Sequence, residues 1–146
     1  MSETFSARIV ALLNIFTAYE LVTPPLDGMI LPGVTRDSVL ALAREHVGGV
    51  KRLPNLPENL VVRERPITMK EVKEASKTNR LVELFGAGTA AVISPVDRIG
   101  YLGEDIHIPT GEDGMGPISR PIWTELVGRQ TGAIPSDWSV VVAEAE

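Results

Sequence analysis

The chain has 146 residues, 44% of them apolar, 23% charged and 5% aromatic, which suits one domain with a modest, mainly aliphatic core. A net charge of −5 without a basic cluster argues against a nucleic-acid-binding surface, and the lack of cysteine excludes disulfides, thiolate metal sites and cysteine nucleophiles. No apolar run nears the roughly 20 residues of a membrane span, so a soluble protein is expected, cytoplasmic ahead of mitochondrial, with a weak organellar presequence as the alternative.

Taken in chain order, residues 1–20 read as helical or irregular. Leu21-Val22-Thr23 reads as a short strand, Pro24-Pro25-Leu26-Asp27-Gly28 as a turn and Met29-Ile30-Leu31 as a second strand, stopped by Pro32-Gly33. A helix is expected from Thr35, with threonine as N-cap and Asp37 in the first turn; Val39, Leu42, Ala43 and His46 give it one buried face, and Gly48-Gly49 ends it. Residues 51–59 form a loop and residues 61–64 a strand. Thr68-Met69-Lys70-Glu71 is a capping box that opens a helix running to about Lys77. A strand over residues 81–85 is expected to break at Gly86-Ala87-Gly88-Thr89, with extended chain resuming over 90–96. A turn over 100–103 leads into Ile106-His107-Ile108, and residues 111–117 form a loop. Ile118, Ile122 and Leu126 mark a last helix ending near Gly128, and residues 137–141 close the chain as strand or tail. The short alternating elements indicate an α+β fold.

Two spots suit an anion. In Leu31-Pro32-Gly33-Val34-Thr35-Arg36 a glycine admits close approach and a helix opens with free amides pointing outwards, the geometry by which helix N-termini hold phosphate. Alone, this motif is more often a capped helix after a tight turn. In Gly86-Ala87-Gly88-Thr89-Ala90, paired glycines followed by a hydroxyl can form a nest of amides, although a β-bulge or sharp turn is the commoner outcome. No G-x-G-x-x-G follows a strand, His46 and His107 are isolated from other metal ligands, and Gly111-Glu112-Asp113-Gly114 lacks the spacing of a calcium loop, so no metal is expected. Lys70, Lys73, Glu71 and Glu74 read as a solvated helix face, and Ser94 and Ser119 have no histidine nearby in sequence.

At the two anion motifs the sequence acquires a wider likeness. "ELVTPPLDGMILPGVTRDSVLALARE", "RERPITMKEVKEA" and "ELFGAGTAAVISPV" resemble, in order and spacing, the C-terminal domain of branched-chain amino acid aminotransferases, and "DIHIPTGEDGMGPISRPIWTELVGRQTG" and "SDWSVVV" continue the match in the style of eukaryotic members. The resemblance covers about residues 20 to 142. It implies the C-terminal domain of the fold type IV (D-amino acid aminotransferase-like) pyridoxal-phosphate enzymes over residues 20–146, behind a divergent segment over 1–19, with the N-terminal domain absent. It implies pyridoxal 5′-phosphate as cofactor, with Leu31 on its ring and Gly33, Val34, Thr35 and Thr89 around its phosphate. The backbone of Thr89 and Ala90 would dock the substrate α-carboxylate. The implied reaction moves an amino group between leucine, isoleucine or valine and 2-oxoglutarate.

The departures from the family pattern are specific. Its Schiff-base lysine lies N-terminal to the "TPPLDG" turn, whereas here Lys51, Lys70, Lys73 and Lys77 all follow it, so no catalytic residue is assigned. Asn14-Ile15-Phe16 reads as the remnant of the stretch after the family's pyridine-pairing glutamate, which puts Ile9 at the glutamate position and Leu12 at that of a threonine, with too short a hairpin before Glu20. Ala91 and Ser94 stand where mammalian members carry a redox cysteine pair. The expectation is therefore an aminotransferase by family that is inactive as an isolated chain. The alternative is a non-catalytic truncated fragment, homodimeric or paired with a full-length homologue. An unrelated anion-binding domain would leave the ordered motifs unexplained.

Overall fold

The computed structural model of the chain describes residues 9–144. Seven strands and three helices follow one another in these residues: β1 (Ile9–Asn14), β2 (Tyr19–Thr23), α1 (Val34–Val47), β3 (Leu60–Glu64), α2 (Met69–Lys77), β4 (Leu81–Gly88), β5 (Val92–Pro95), β6 (Arg98–Tyr101), β7 (Glu104–His107) and α3 (Ser119–Thr131). Five strands form one sheet in the order β3-β2-β1-β4-β5, with β6 and β7 as a separate hairpin. The β2–β3 pair is parallel, while β1–β2, β1–β4 and β4–β5 are antiparallel, so the mixed α+β expectation holds.

Strand alternation sends neighbouring residues to opposite faces. Leu21 and Phe85 pack with Val39 and Leu42 of α1 and Ile122 and Leu126 of α3. Val22 and Leu84 pack on the other face with Val72 and Ala75 of α2. Each such fully buried aliphatic side chain contributes roughly 1.5–3 kcal/mol relative to exposure. A bulge in the β1–β4 ladder, where Leu12 opposes Glu83 but Leu13 opposes Leu81, lets Leu81 and Leu84 reach one cluster although they are three residues apart.

Several sequence expectations need correction. Over the described part of residues 1–20 the chain is a hairpin: β1 is the central strand and β2 begins at Tyr19; residues 1–8 lie outside the described residues. The apolar run of β1 reads like a helix because it is the middle strand of a sheet whose flanking strands pack on both faces, Leu21 and Phe85 on one and Val22 and Leu84 on the other, where alternation vanishes. The hairpin tip is short, with Ile15 N–H donating to the Ala18 carbonyl at 2.9 Å and Phe16 at φ 72°.

Residues 29–31 are not a strand. Met29 and Leu31 are exposed in a loop whose Asp27 side chain accepts from the Met29 amide at 3.0 Å. Glycines 86 and 88 do not break β4, which continues to Gly88 with Gly86 opposite Ser94 and Gly88 opposite Val92. Finally, α3 passes Gly128 and ends at Thr131, capped by Gly132 at φ 78°. Gly128 serves packing instead: a Cβ there would come within 2.6 Å of the Ile134 side chain.

The α2 capping box is half formed. The Thr68 hydroxyl accepts from the Glu71 amide at 3.1 Å, but the Glu71 carboxylate turns to Arg65 at 2.7 Å. Arg65 also grips buried Glu20, holding that carboxyl below its usual range and raising its own pKa. His46 is a core strut, its Nδ1 accepting from Leu53 N–H at 2.9 Å while Nε2 lies 3.1 Å from the Pro57 carbonyl.

Candidate functional site

Both candidate motifs lie at one end of the sheet. Ala11 pairs with Val22 of β2 on one side and Leu84 of β4 on the other, so β2 and β4 run in the same direction and leave the sheet together. From β2 the chain passes through the loop after Thr23 into α1; from β4 it passes into the turn formed by Thr89, Ala90 and Ala91.

The N-cap of α1 is Gly33, at φ −75° and ψ 130°, rather than Thr35, and no side chain caps the helix. Glycine provides no hydroxyl to satisfy the first amides, and Thr35 lies inside the helix, where its own hydroxyl cannot serve as the cap. The first intrahelical bond runs from Asp37 N–H to the Gly33 carbonyl at 3.0 Å. The amides of Val34, Thr35 and Arg36 thus precede the helical ladder, at its electropositive end. Val34 is 81% exposed and Leu31 71% exposed, while Thr35 is half-buried. Val34 borders two clefts, one of about 290 Å³ with Leu26, Pro32, Gly33 and Arg36, and one of about 370 Å³ with Ser38, Leu126, Arg129 and Trp138.

Arg36 is a positioning residue that the sequence reading passed over. Only 2% exposed, it donates through Nη2 to the Pro24 carbonyl at 2.8 Å and to Glu64 at 2.7 Å. It thereby ties the turn after β2 and the end of β3 to the first turn of α1. A cation at a helix N-terminus opposes the macrodipole, and that mismatch was its signal in the sequence. Glu64 offsets it: hydrogen bonds from Arg44 and then Arg36 hold this carboxyl below its ordinary value.

Thr89 and Ala90 are exposed in the β4–β5 turn and line neither cleft. Of the stretch that reads as a nest or a sharp turn, Gly86, Ala87 and Gly88 are regular ladder partners of β5, and the turn falls on Thr89, Ala90 and Ala91. The turn itself is tight: Ile93 N–H donates to the Ala91 carbonyl at 2.6 Å.

The lysines stand apart from α1's start. Lys51 follows the far end of this 14-residue helix, roughly 20 Å away at 1.5 Å per residue, and pairs with Glu125 at 2.7 Å. Burial pushes the Glu125 carboxyl up, but hydrogen bonds from Lys51 and Arg129 outweigh it and leave the group lowered. Lys70, Lys73 and Lys77 belong to α2, on the other face of the sheet, where Lys73 pairs with Glu104. Among the described residues no group of three or more His, Asp or Glu side chains could hold a metal ion, and no helix is long and apolar enough to cross a membrane.

A second carboxylate marks a contrasting site. Glu83 of β4, 2% exposed, accepts from the backbone amides of Gly116, Ile118 and Ser119 at 3.0–3.3 Å, filling the start of α3 with an anion of the protein's own. Gly116 must be glycine here, since a Cβ would lie 2.4 Å from the Glu83 carboxyl carbon.

Comparison with known proteins gives this geometry its context. The family described as "Amino-transferase class IV" matches residues 11–99, from β1 into β6. The chain is 46% identical over 121 residues to the cytosolic branched-chain-amino-acid aminotransferase of Mus musculus, covering 83% of this chain and 28% of that protein. It is 44% identical over 140 residues to the mitochondrial enzyme of Schizosaccharomyces pombe, covering 90% of this chain and 31% of that one. Among solved structures, the branched-chain amino acid aminotransferase of Escherichia coli superposes with a TM-score of 0.57 at 28% identity, over 90% of this chain and 36% of that one. The enzyme of Thermobaculum terrenum in its PLP-form superposes with a TM-score of 0.59 at 27% identity, over 86% and 33%. The chain spans roughly a third of the length of the curated relatives it matches. It belongs to the class IV amino-transferase family.

Proposed function

We infer that this chain is the C-terminal, cofactor-cradling part of a branched-chain amino acid aminotransferase, a unit that takes in β1 as the middle strand of its sheet as well as the residues from 20 onwards. The observation that carries this is the uncapped start of α1, framed by Gly33, Val34 and Thr35 and opening at the same end of the sheet as Thr89. Free amides at an electropositive helix end fit a phosphate dianion, and Arg36, tied to the Pro24 carbonyl and Glu64, holds that helix start in place. In this reading Val34 and Thr35 hold the 5′-phosphate of pyridoxal phosphate through their amides, and Thr89 donates its hydroxyl. Leu31 covers the ring, and the amides of Thr89 and Ala90 receive the substrate carboxylate. Bound pyridoxal phosphate supplies an electron sink for charge developing at the substrate Cα; the residues here bind and orient.

The amine that would exchange with substrate is not among these four lysines, so turnover by these 146 residues alone is not expected. The second reading is a non-catalytic fragment that pairs with a full-length relative. It is favoured by the exposed apolar loop Met29 and Leu31 beside Val34, a surface suited to cover by another protein segment. In this reading the amino donors are leucine, isoleucine or valine, in line with the names of the relatives, and the acceptor is 2-oxoglutarate.

The test is calorimetric titration of the folded chain with pyridoxal 5′-phosphate. Binding should weaken about tenfold in Thr89→Val, the loss of one hydrogen bond to a charged group. Unchanged affinity removes Thr89 from the phosphate site, and no binding by the parent chain rejects the cradle.

A further inference from the structure

The turn that carries Thr89 and Ala90 is closed by Val92 at φ 59°. A β-branched residue is badly suited to this left-handed region, where its Cβ crowds the neighbouring carbonyl. A glycine stands directly opposite, yet it is not the residue that takes the strain: Gly88, the ladder partner of Val92, has an ordinary φ and open space for a Cβ. The bond from Ile93 N–H to the Ala91 carbonyl closes a three-residue turn around Val92, and such turns at positive φ are rare and strained.

Strain of this kind persists only where the surroundings over-determine it. Here they do. The Val92 side chain is half-buried against the core cluster containing Phe85, Ala87 and Ile93. Ala87 and Ile93 are themselves paired across the hairpin just below the turn, and both are buried. Val92 is therefore fixed from the core side, while Thr89, Ala90 and Ala91 stand exposed above it.

We propose that Val92 is a positioning residue whose strained, core-anchored backbone pre-organises the Thr89-Ala90-Ala91 turn to receive an anionic group of the ligand. The inference rests on the proposed roles of Thr89 and Ala90. A turn already held in one conformation loses less freedom when it binds, which strengthens affinity without adding a contact.

Two variants separate strain from binding. Val92→Ala loses the packing but keeps a side chain at positive φ, whereas Val92→Gly loses the packing and relieves the strain. Val92→Gly should unfold at a higher urea concentration than Val92→Ala. Affinity for pyridoxine 5′-phosphate, which has no aldehyde to react with surface lysines, should rank the other way by titration calorimetry. The parent should bind tightest, Val92→Ala more weakly, and Val92→Gly weakest, at least fivefold below the parent. A merely structural residue would make affinity follow stability. If Val92→Gly is no more stable than Val92→Ala, the strain is refuted; if it binds as well as Val92→Ala or the parent, positioning is refuted. No binding by the parent chain overturns the roles of Thr89 and Ala90 themselves, and this inference with them.

Discussion

Helices α1 and α3 meet the same physical problem, a first turn of unsatisfied amides, in opposite ways. At α3 the buried carboxylate of Glu83 accepts from three backbone amides, and no cationic side chain among the described residues pairs with it. At α1 the N-cap is a glycine, no side chain caps the helix, and Val34 beside it is exposed. The start of α2 lies between them, with the neutral hydroxyl of Thr68 as its acceptor. Where a helix start is only architecture, the chain supplies its own acceptor and closes the site. Where the start is left open at the end of the sheet, next to clefts, an acceptor can come from outside.

The contrast can be broken at either end. The largest effect is expected from Glu83→Ala, which leaves buried amides at the α3 start unsatisfied. Hydrogen bonds to a charged acceptor contribute roughly 1.5–3 kcal/mol each, so losing those from three amides should cost about 4 kcal/mol or more, seen as a lowered urea midpoint. A change below about 1 kcal/mol would mean that water replaces the carboxylate. Next comes Gly33→Asp, which gives α1 the internal anion that α3 already has. Phosphate-ligand affinity should fall about tenfold while stability rises by roughly 0.3–1 kcal/mol. Calorimetry and urea unfolding on the same sample would read both, and undiminished affinity would show that the α1 start is not where the ligand sits. The smallest effect belongs to Thr68→Ala, about 1 kcal/mol of stability without change in ligand affinity.

What the sequence made legible follows from where local and tertiary forces agree. For α2, the Thr68 cap and the spacing of Val72 and Ala75 are local signals, and the helix starts where they place it. For β1, the signal lay in partners distant in sequence: Ile9 pairs with Gly86 and Leu12 with Leu21, so an apolar run without alternation became a central strand. Met29 and Leu31 misled in the opposite sense, being apolar but exposed. Gly86 and Gly88 looked like a break, yet a strand flanked by β1 and β5 gains enough ladder bonds to carry them. At the candidate site, the glycine-then-helix pattern was readable from residues 31–36, though the cap proved to be Gly33. Arg36 carried only the signal of a cation misplaced at a helix start, and Glu83 and Val92 carried none, because their roles depend on Glu64, the α3 start and the core beneath the turn.

The position of β1 has a consequence for how the chain reaches this state. It is the first described strand in sequence and the middle strand of the sheet, joining β2–β3 to β4–β5. Its second partner lies more than 70 residues downstream, as Ile9 opposite Gly86 shows. A nascent chain can zip β1 to β2 early, but one flank of β1 stays unpaired until residues 81–88 have been made. Such long-range closure slows folding and leaves a sticky apolar edge exposed meanwhile. The vulnerable period in the life of this protein is thus during its synthesis, before the fourth strand arrives.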